Sequence, residues 1–238
     1  MKKLTHQLLF VSDIHLYSAE DERGQLLLEI IEMIDPKSVE YFILGGDIFD
    51  FCFGASRYFK EKFKKFGNAL EKLSTLGTKV IFVQGNHEFS LDGLKWSGID
   101  FVTGQQRCFQ LSCGTTFSVT HGDRFLMDWS YRYYIALTRS SIFRGLALLL
   151  PQKKLDQFAL YCSRISRNRG YSQSLDHKKV LSAAALWLEN TGSQFGLFGH
   201  FHHPYEESYE FGSLFSVHSW HQPNLLAFHK GKFSRIEL

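Results

Sequence analysis

The chain has 238 residues and a net charge of +3. Size scaling puts its unfolded surface near ~40,000 Å² and its folded surface near ~11,000 Å², so it can bury a full core without disulfides or metal staples. Hydrophobic residues at 44% and charged residues at 21% exclude wholesale disorder and collagen-like repeats. No wholly apolar stretch, Leu146–Leu150 and its neighbour included, exceeds about six residues, far short of the ~20 that a membrane span needs.

In chain order, the first short apolar run is Gln7–Ser12. Two lysines precede it, but no small-residue cleavage pattern follows, so it reads as the first strand of the mature protein and not as a signal peptide. Tyr41–Gly45 and Lys79–Gln84 are also short, β-rich and bounded by Gly or Asp, as buried parallel strands are. Between them, Leu26–Ile34 and Tyr58–Leu76 carry apolar residues at three- and four-residue steps and predict helices. This βαβαβ order implies a parallel sheet with right-handed crossovers. Cys108–Leu111 and Thr115–Thr120 flank Ser112-Cys113-Gly114, a hairpin signal. Residues 125–191 read as mostly helical, broken at Pro151 and near Gly170. Short strands return at Gly196–Phe198, Tyr205–Tyr209, Leu214–His218, Leu225–His229 and Lys232–Ile236. The pattern predicts a single α/β domain over 1–238, with residues 125–191 inserted as a helical cap. The four cysteines, Cys52, Cys108, Cys113 and Cys162, lack CxxC spacing. They fit thiols in a reducing cytoplasm, with a Cys108–Cys113 disulfide as the alternative.

Charge is uneven along the chain. Arg124 to Lys179 carries +8 and the remainder −5. A basic block suggests an anionic partner: nucleic acid, a phosphorylated ligand or a membrane surface. This block is also apolar and aromatic, with Trp129, Tyr131, Tyr133, Tyr134 and Leu146–Leu150, a combination more specific than charge alone.

Five polar blocks close the predicted strands: Asp13-Ile14-His15, Gly46-Asp47, Gly85-Asn86-His87-Glu88, His121-Gly122-Asp123 and Gly199-His200-Phe201-His202. Strand ends are where an open α/β sheet assembles its site. Asp13, His15, Asp47, Asn86, His121, His200 and His202 offer only oxygen and imidazole donors. That set suits Mn²⁺, Fe²⁺ or Zn²⁺ and argues against a closed thiolate zinc site. Seven ligands are too many for one ion and suit two that share a carboxylate, with Asp47 the natural bridge. Two carboxylates neutralise only part of the charge of two divalent ions, and the remaining positive field would bind and polarise a phosphate ester. His87 is not counted as a ligand. Its place fits a general acid, or a cation stabilising charge on phosphoryl oxygens. The competing reading is a structural histidine hydrogen-bonded by Glu88. Asp123 reads as a carboxylate supporting His121, and His203 as an exposed neighbour of His202.

These blocks, all five present and in order, resemble the calcineurin-like metallophosphoesterases over essentially the whole chain. The resemblance implies a four-layer αββα sandwich and hydrolysis of a phosphate ester or anhydride at two divalent ions, Mn²⁺ first among the candidates. It places one ion on Asp13, His15, Asp47 and His202, the other on Asp47, Asn86, His121 and His200, and makes His87 catalytic. Within that family the chain is similar to the UDP-2,3-diacylglucosamine diphosphatases of lipid A biosynthesis. The residues that carry this are Gly46-Asp47-Ile48-Phe49-Asp50-Phe51, Asp128 after the His-Gly-Asp block, the helical insertion, and Trp220-His221 on a late strand. Many enzymes of that group carry Arg where His87 stands, so here the chain follows the broader family. The stretch Arg164 to Ser172 matches their cap loosely. This resemblance implies a nucleotide-diphospho-glycolipid substrate contacted by Asn86, Asp128, Arg164, Arg167, Arg169 and Ser172. It also implies cytoplasmic placement with peripheral contact at the inner membrane surface. A phosphoesterase for soluble nucleotides is a competing reading, opposed by the apolar cap. A nucleic-acid-binding nuclease is another, opposed by the block's Leu, Ile and Phe content.

Overall fold

The computed structural model describes residues 3–126, 129–138 and 175–237, together with residues 140, 145, 148, 149, 151, 154, 157 and 161. Alternation along the strands decides its layering. In β1 (Leu8–Val11), Leu8 and Phe10 join one core while Leu9 and Val11 join another. β2 (Tyr41–Leu44) divides the same way, Tyr41 and Ile43 against Phe42 and Leu44. Both faces of these strands are buried, which is why they read as continuous apolar runs.

β3 (Cys52–Phe53), β4 (Lys79–Val83), β5 (Glu88–Phe89), β6 (Ile99–Val102), β7 (Arg107–Gln110) and β8 (Thr116–Val119) follow. β9 (Phe195–Phe198), β10 (Glu206–Tyr209), β11 (Gly212–Ser216), β12 (Asn224–His229) and β13 (Lys232–Glu237) complete the strands. The first sheet has the order β13-β12-β1-β2-β4-β6 and the second β10-β11-β9-β8-β7, with β3 and β5 a separate pair. β1, β2, β4 and β6 run parallel, and β12 is antiparallel to β1. Leu8, Phe10, Ile43 and Ile81 of the first sheet meet Phe117, Val119, Leu197 and Phe215 of the second. The first sheet's outer face is covered by α1 (Glu22–Met33), α2 (Arg57–Lys62) and α3 (Lys64–Thr75). On the second sheet's outer face, Phe198 and Leu214 pack against Val180, Ala184 and Leu188 of α5 (His177–Thr191). The result is the expected αββα sandwich.

Some boundaries differ from the sequence reading. α1 starts earlier than Leu26, because the Asp21 carboxylate accepts the Gly24 N–H at 2.7 Å and caps it. The predicted Tyr58–Leu76 helix is broken at Phe63 (φ −103°, ψ 14°). The Phe63 ring is buried and stacks on Phe49 with centroids 3.8 Å apart. Packing, not a Gly or Pro, sets that break. The hairpin forms as read, with Phe109 opposite Phe117. Cys108 and Cys113 are both free, and their sulfurs face Ser118 Oγ and Thr115 Oγ1.

Within the expected cap, α4 (Trp129–Thr138) is described, and α5 belongs to the sandwich as its outer layer. Asp128, Arg164, Arg167, Arg169, Ser172 and most of the segment between α4 and α5 lie outside the described residues. No helix among the described residues is long and apolar enough to cross a membrane.

Candidate metal centre

β1, β2 and β4 are mutually parallel, as are β8 and β9. The polar block that follows each of these strands therefore emerges at the C-terminal ends, where side chains can converge. The turns are tight. Among the described residues, five of the eight non-glycine residues with positive φ are Asp13, His15, Asp47, His200 and His202. L-residues avoid this region, and such strain concentrates where a site over-determines the backbone. Two glycines complete the fit. A Cβ at Gly85 would collide with the Asp47 carboxylate, and one at Gly199 with Ser12 and Asp13.

The seven residues form two adjacent groups. Asp13, His15 and His202 bring one ligand atom each within 4.8 Å of one another, and Asp47, His121 and His200 do the same. In the first group His202 Nε2 lies 3.4 Å from Asp13 Oδ1 and 3.3 Å from His15 Nε2. In the second, His121 Nε2 is 3.4 Å from Asp47 Oδ2 and 3.2 Å from Asn86 Oδ1. A third set, His15, Asp47 and His87, overlaps both. Asp47 thus stands between the groups.

Backbone contacts aim these side chains. The Gly45 carbonyl accepts from His121 Nδ1 at 3.0 Å, so a neutral His121 turns its Nε2 lone pair inward. His87 Nδ1 donates to the Asp50 carbonyl at 2.7 Å, and its Nε2 is 3.9 Å from Asp47 Oδ2. The reading of His87 as held by Glu88 is not what the structure shows. The buried Glu88 carboxylate instead accepts the N–H groups of Gly85 (2.7 Å), Ile48 (2.8 Å), Asp47 (3.0 Å) and Phe49 (3.2 Å). It ties the Asp47 turn to the Asn86 turn. Burial, then the neighbouring Asp47 charge, pushes its carboxyl up to about 7. Asp123 accepts from the Tyr131 hydroxyl at 3.1 Å, which fastens α4 to the His121 loop. His203 is exposed, as read.

The electrostatics describe a centre that wants cations. Burial opposes charge on His121, yet Asp47 outweighs it and lifts the imidazole to about 10. Burial, with smaller contributions from His87 and His202, drives His15 down to about 3 against the pull of Asp47, while burial and then the charge on His121 lower His200 to about 4. Burial also opposes charge on Asp47, but His121 and His87 hold its carboxyl well below the usual range. A proton on His121 is thus balancing buried carboxylates. The donors are all carboxylate, amide or imidazole, none a thiol, and they fit divalent ions of the Mn²⁺, Fe²⁺ or Zn²⁺ kind.

A pH dependence follows, because a cation can bind His121 only after its proton leaves. Below about 10 the imidazole is charged, so metal affinity is expected to fall as pH drops, by up to about tenfold per unit for one displaced proton. Metal titrations between about pH 6 and pH 8 check this. An affinity that is flat over that window would remove His121 from the ligand set.

Comparison with known proteins agrees with this geometry. Residues 6–204 match the calcineurin-like phosphoesterase family. A protein of Neisseria meningitidis serogroup B named UDP-2,3-diacylglucosamine hydrolase is 26% identical over 197 residues, 81% of this chain and 81% of its own. An Aeromonas salmonicida protein of the same name is 27% identical over 206 residues, 82% of this chain and 77% of its own. The solved structure of an archaeal phosphodiesterase is similar over 97% of this chain and 99% of its own, with TM-score 0.51 at 14% identity, a likeness of fold alone.

Proposed function

The chain belongs to the calcineurin-like phosphoesterase family, and from that premise we propose that it hydrolyses the diphosphate of UDP-2,3-diacylglucosamine to UMP and 2,3-diacylglucosamine 1-phosphate. Similar proteins carry the name of that hydrolase. The observation that favours it in this chain is α4. Trp129, Tyr133 and Leu137 recur every four residues on one helical stripe and are 86%, 73% and 50% exposed. Ile135 is buried, and the Tyr131 hydroxyl reaches Asp123. An apolar stripe is thereby held beside the loop that carries His121. A soluble nucleotide has no use for it, whereas acyl chains do.

In this reading Asp13, His15, Asp47 and His202 hold one divalent ion, and Asp47, Asn86, His121 and His200 the other. When bound, the two ions, Mn²⁺ first, supply Lewis-acid polarisation of the phosphoryl group and a lower pKa for the attacking water. His87, its Nδ1 proton fixed on the Asp50 carbonyl, presents Nε2 to the centre and, doubly protonated, donates to an oxygen that gains charge. Asn86 also contacts the phosphoryl group. Asp128, Arg164, Arg167, Arg169 and Ser172 contact the sugar diphosphate from the cap. The cap's +8 segment and the α4 stripe rest peripherally on the cytoplasmic face of the inner membrane.

A panel with Mn²⁺ tests the substrate. UDP-2,3-diacylglucosamine is expected to exceed dinucleotide polyphosphates, cyclic nucleotides and single-stranded DNA in kcat/KM. Acyl carbons contribute about 0.8 kcal/mol per buried CH₂, so deacylated UDP-glucosamine is expected to lose more than ~100-fold, mostly in binding. Comparable kcat/KM for the acylated and deacylated forms would show that α4 only packs, and would sink the lipid assignment.

A further inference from the structure

The turns that carry the ligands are fastened to the Asp47 turn in two different ways. The Asp13 turn is laced to it by main chain. The Asp13 N–H donates to the Gly46 carbonyl at 3.0 Å, that of His15 to the Asp47 carbonyl at 3.0 Å and that of Leu16 to the Ile48 carbonyl at 2.9 Å. These bonds prolong the parallel pairing of β1 with β2 and do not depend on which side chains stand there. The Asn86 turn has no such lacing. Among the described residues, no main-chain bond joins Gly85 or Asn86 to the Asp47 turn. Main-chain pairing begins only past the ligand, where the His87 carbonyl accepts the Cys52 N–H at 3.0 Å.

Glu88 takes over that task. Its buried side chain gives one oxygen, Oε2, to the N–H groups of both Gly85 (2.7 Å) and Asp47 (3.0 Å). The other, Oε1, accepts those of Ile48 (2.8 Å) and Phe49 (3.2 Å). Four donors on two oxygens use the whole accepting capacity of a carboxylate. The His87 N–H adds a bond to Asp47 Oδ1 at 2.9 Å, but that bond leans on a ligand carboxylate, whereas Glu88 holds the backbone beneath it.

We infer that Glu88 is a positioning residue for one ion of the pair. It keeps Asn86 in reach of the site that Asp47, His121 and His200 form, and it does not serve the site of Asp13, His15 and His202. The inference rests on the two-ion assignment of the proposed function and is independent of the substrate. Gln at position 88 keeps the volume but replaces one oxygen with an amide nitrogen, which carries hydrogens and accepts nothing. Whichever way that amide turns, two of the four N–H groups lose their acceptor, and the cradle that joins the turns opens. The Asp13 turn, held by its own main chain, stays in place.

The test titrates the whole chain, stripped by chelation, with Mn²⁺ in a calorimeter. In Glu88→Gln one of the two ions is expected to bind at least about tenfold more weakly, as when a group behind a metal ligand is lost, and the other within about twofold of wild type. Two ligand variants identify the ion. Added to His121→Ala, Glu88→Gln is expected to leave the affinity of the remaining ion within about twofold; added to His15→Ala, it is expected to weaken the remaining ion at least about tenfold. Glu88→Asp, with both oxygens on a shorter stem, is expected to lie between Glu88→Gln and wild type, and it stands in for the Gln variant if that does not fold. Leu73→Ala, a truncation in the buried core under α3, is expected to lower thermal stability yet keep both affinities. Affinities unchanged in Glu88→Gln, both weakened alike, a loss confined to the Asp13 side, or a loss matched by Leu73→Ala overturns the inference and leaves the two-ion assignment standing. A wild type that binds a single ion overturns both.

Discussion

Replacing Asp47 with Ala is expected to abolish metal pairing, so that bound metal falls from two ions per chain to at most one, and to lower kcat/KM by more than ~10³-fold. The cause is position. Asp47 belongs to the group with His121 and His200 and also to the set with His15 and His87, which overlaps the Asp13 group. Its Oδ2 is 3.4 Å from His121 Nε2, while Oδ1 accepts the His87 N–H at 2.9 Å. Among the described residues no other carboxylate belongs to more than one of these ligand sets: Asp13 offers its oxygens to the first, and reaches the second only by accepting the His200 backbone N–H at 3.0 Å. Asp47→Asn separates charge from shape, since Asn tolerates the left-handed backbone (φ 52°) at this position. It is expected to lose metal as well, while its thermal unfolding stays closer to that of the wild type than Asp47→Ala does. Elemental analysis that finds two ions per chain in Asp47→Ala would refute the bridging role.

The five ligand blocks were legible because each closes a strand with a short polar signature, and Asp47 stood out because seven donors need a shared carboxylate. The core strands were legible because burial on both faces makes them apolar throughout. Other features left weaker traces. β3 and β5 have two residues each, too few for a period of two to register. The break at Phe63 depends on a ring from Phe49, a contact the sequence does not encode locally. Glu88 looked like a partner for His87 because the two are adjacent. Its four amide donors come from residues as far as 41 positions away, joined only when β2 and β4 lie side by side. The Trp220-His221 pair carried only a family likeness, because Arg23, which faces His221, lies 198 positions away in the chain.

His87 divides chemistry from metal holding. His87→Ala is expected to lower kcat by roughly 10²–10⁴, the range for a general acid–base group, with both ions retained. Its geometry supports this. The Asp50 carbonyl can only accept, so Nδ1 keeps its proton and Nε2 alone faces the centre. Nε2 lies 3.9 Å from Asp47 Oδ2, while His121 stands closer at 3.4 Å. His15 already fills the Asp13 side, with its ring centroid 4.7 Å from that of His87. His87 is therefore at the edge of the centre, where a phosphoryl or leaving oxygen would gain charge. Because the N–H of residue 87 reaches Asp47 through the backbone, the Ala variant keeps that contact, and any loss reports on the imidazole. A group acting only in the transition state lowers kcat and kcat/KM together, whereas one that only binds substrate raises KM. His87→Arg keeps a cation but cannot give up a proton. Activity near wild type in that variant would assign His87 to charge stabilisation, and activity as low as that of His87→Ala would assign it to proton transfer. Loss of a metal ion in His87→Ala would sink both roles and make His87 a ligand.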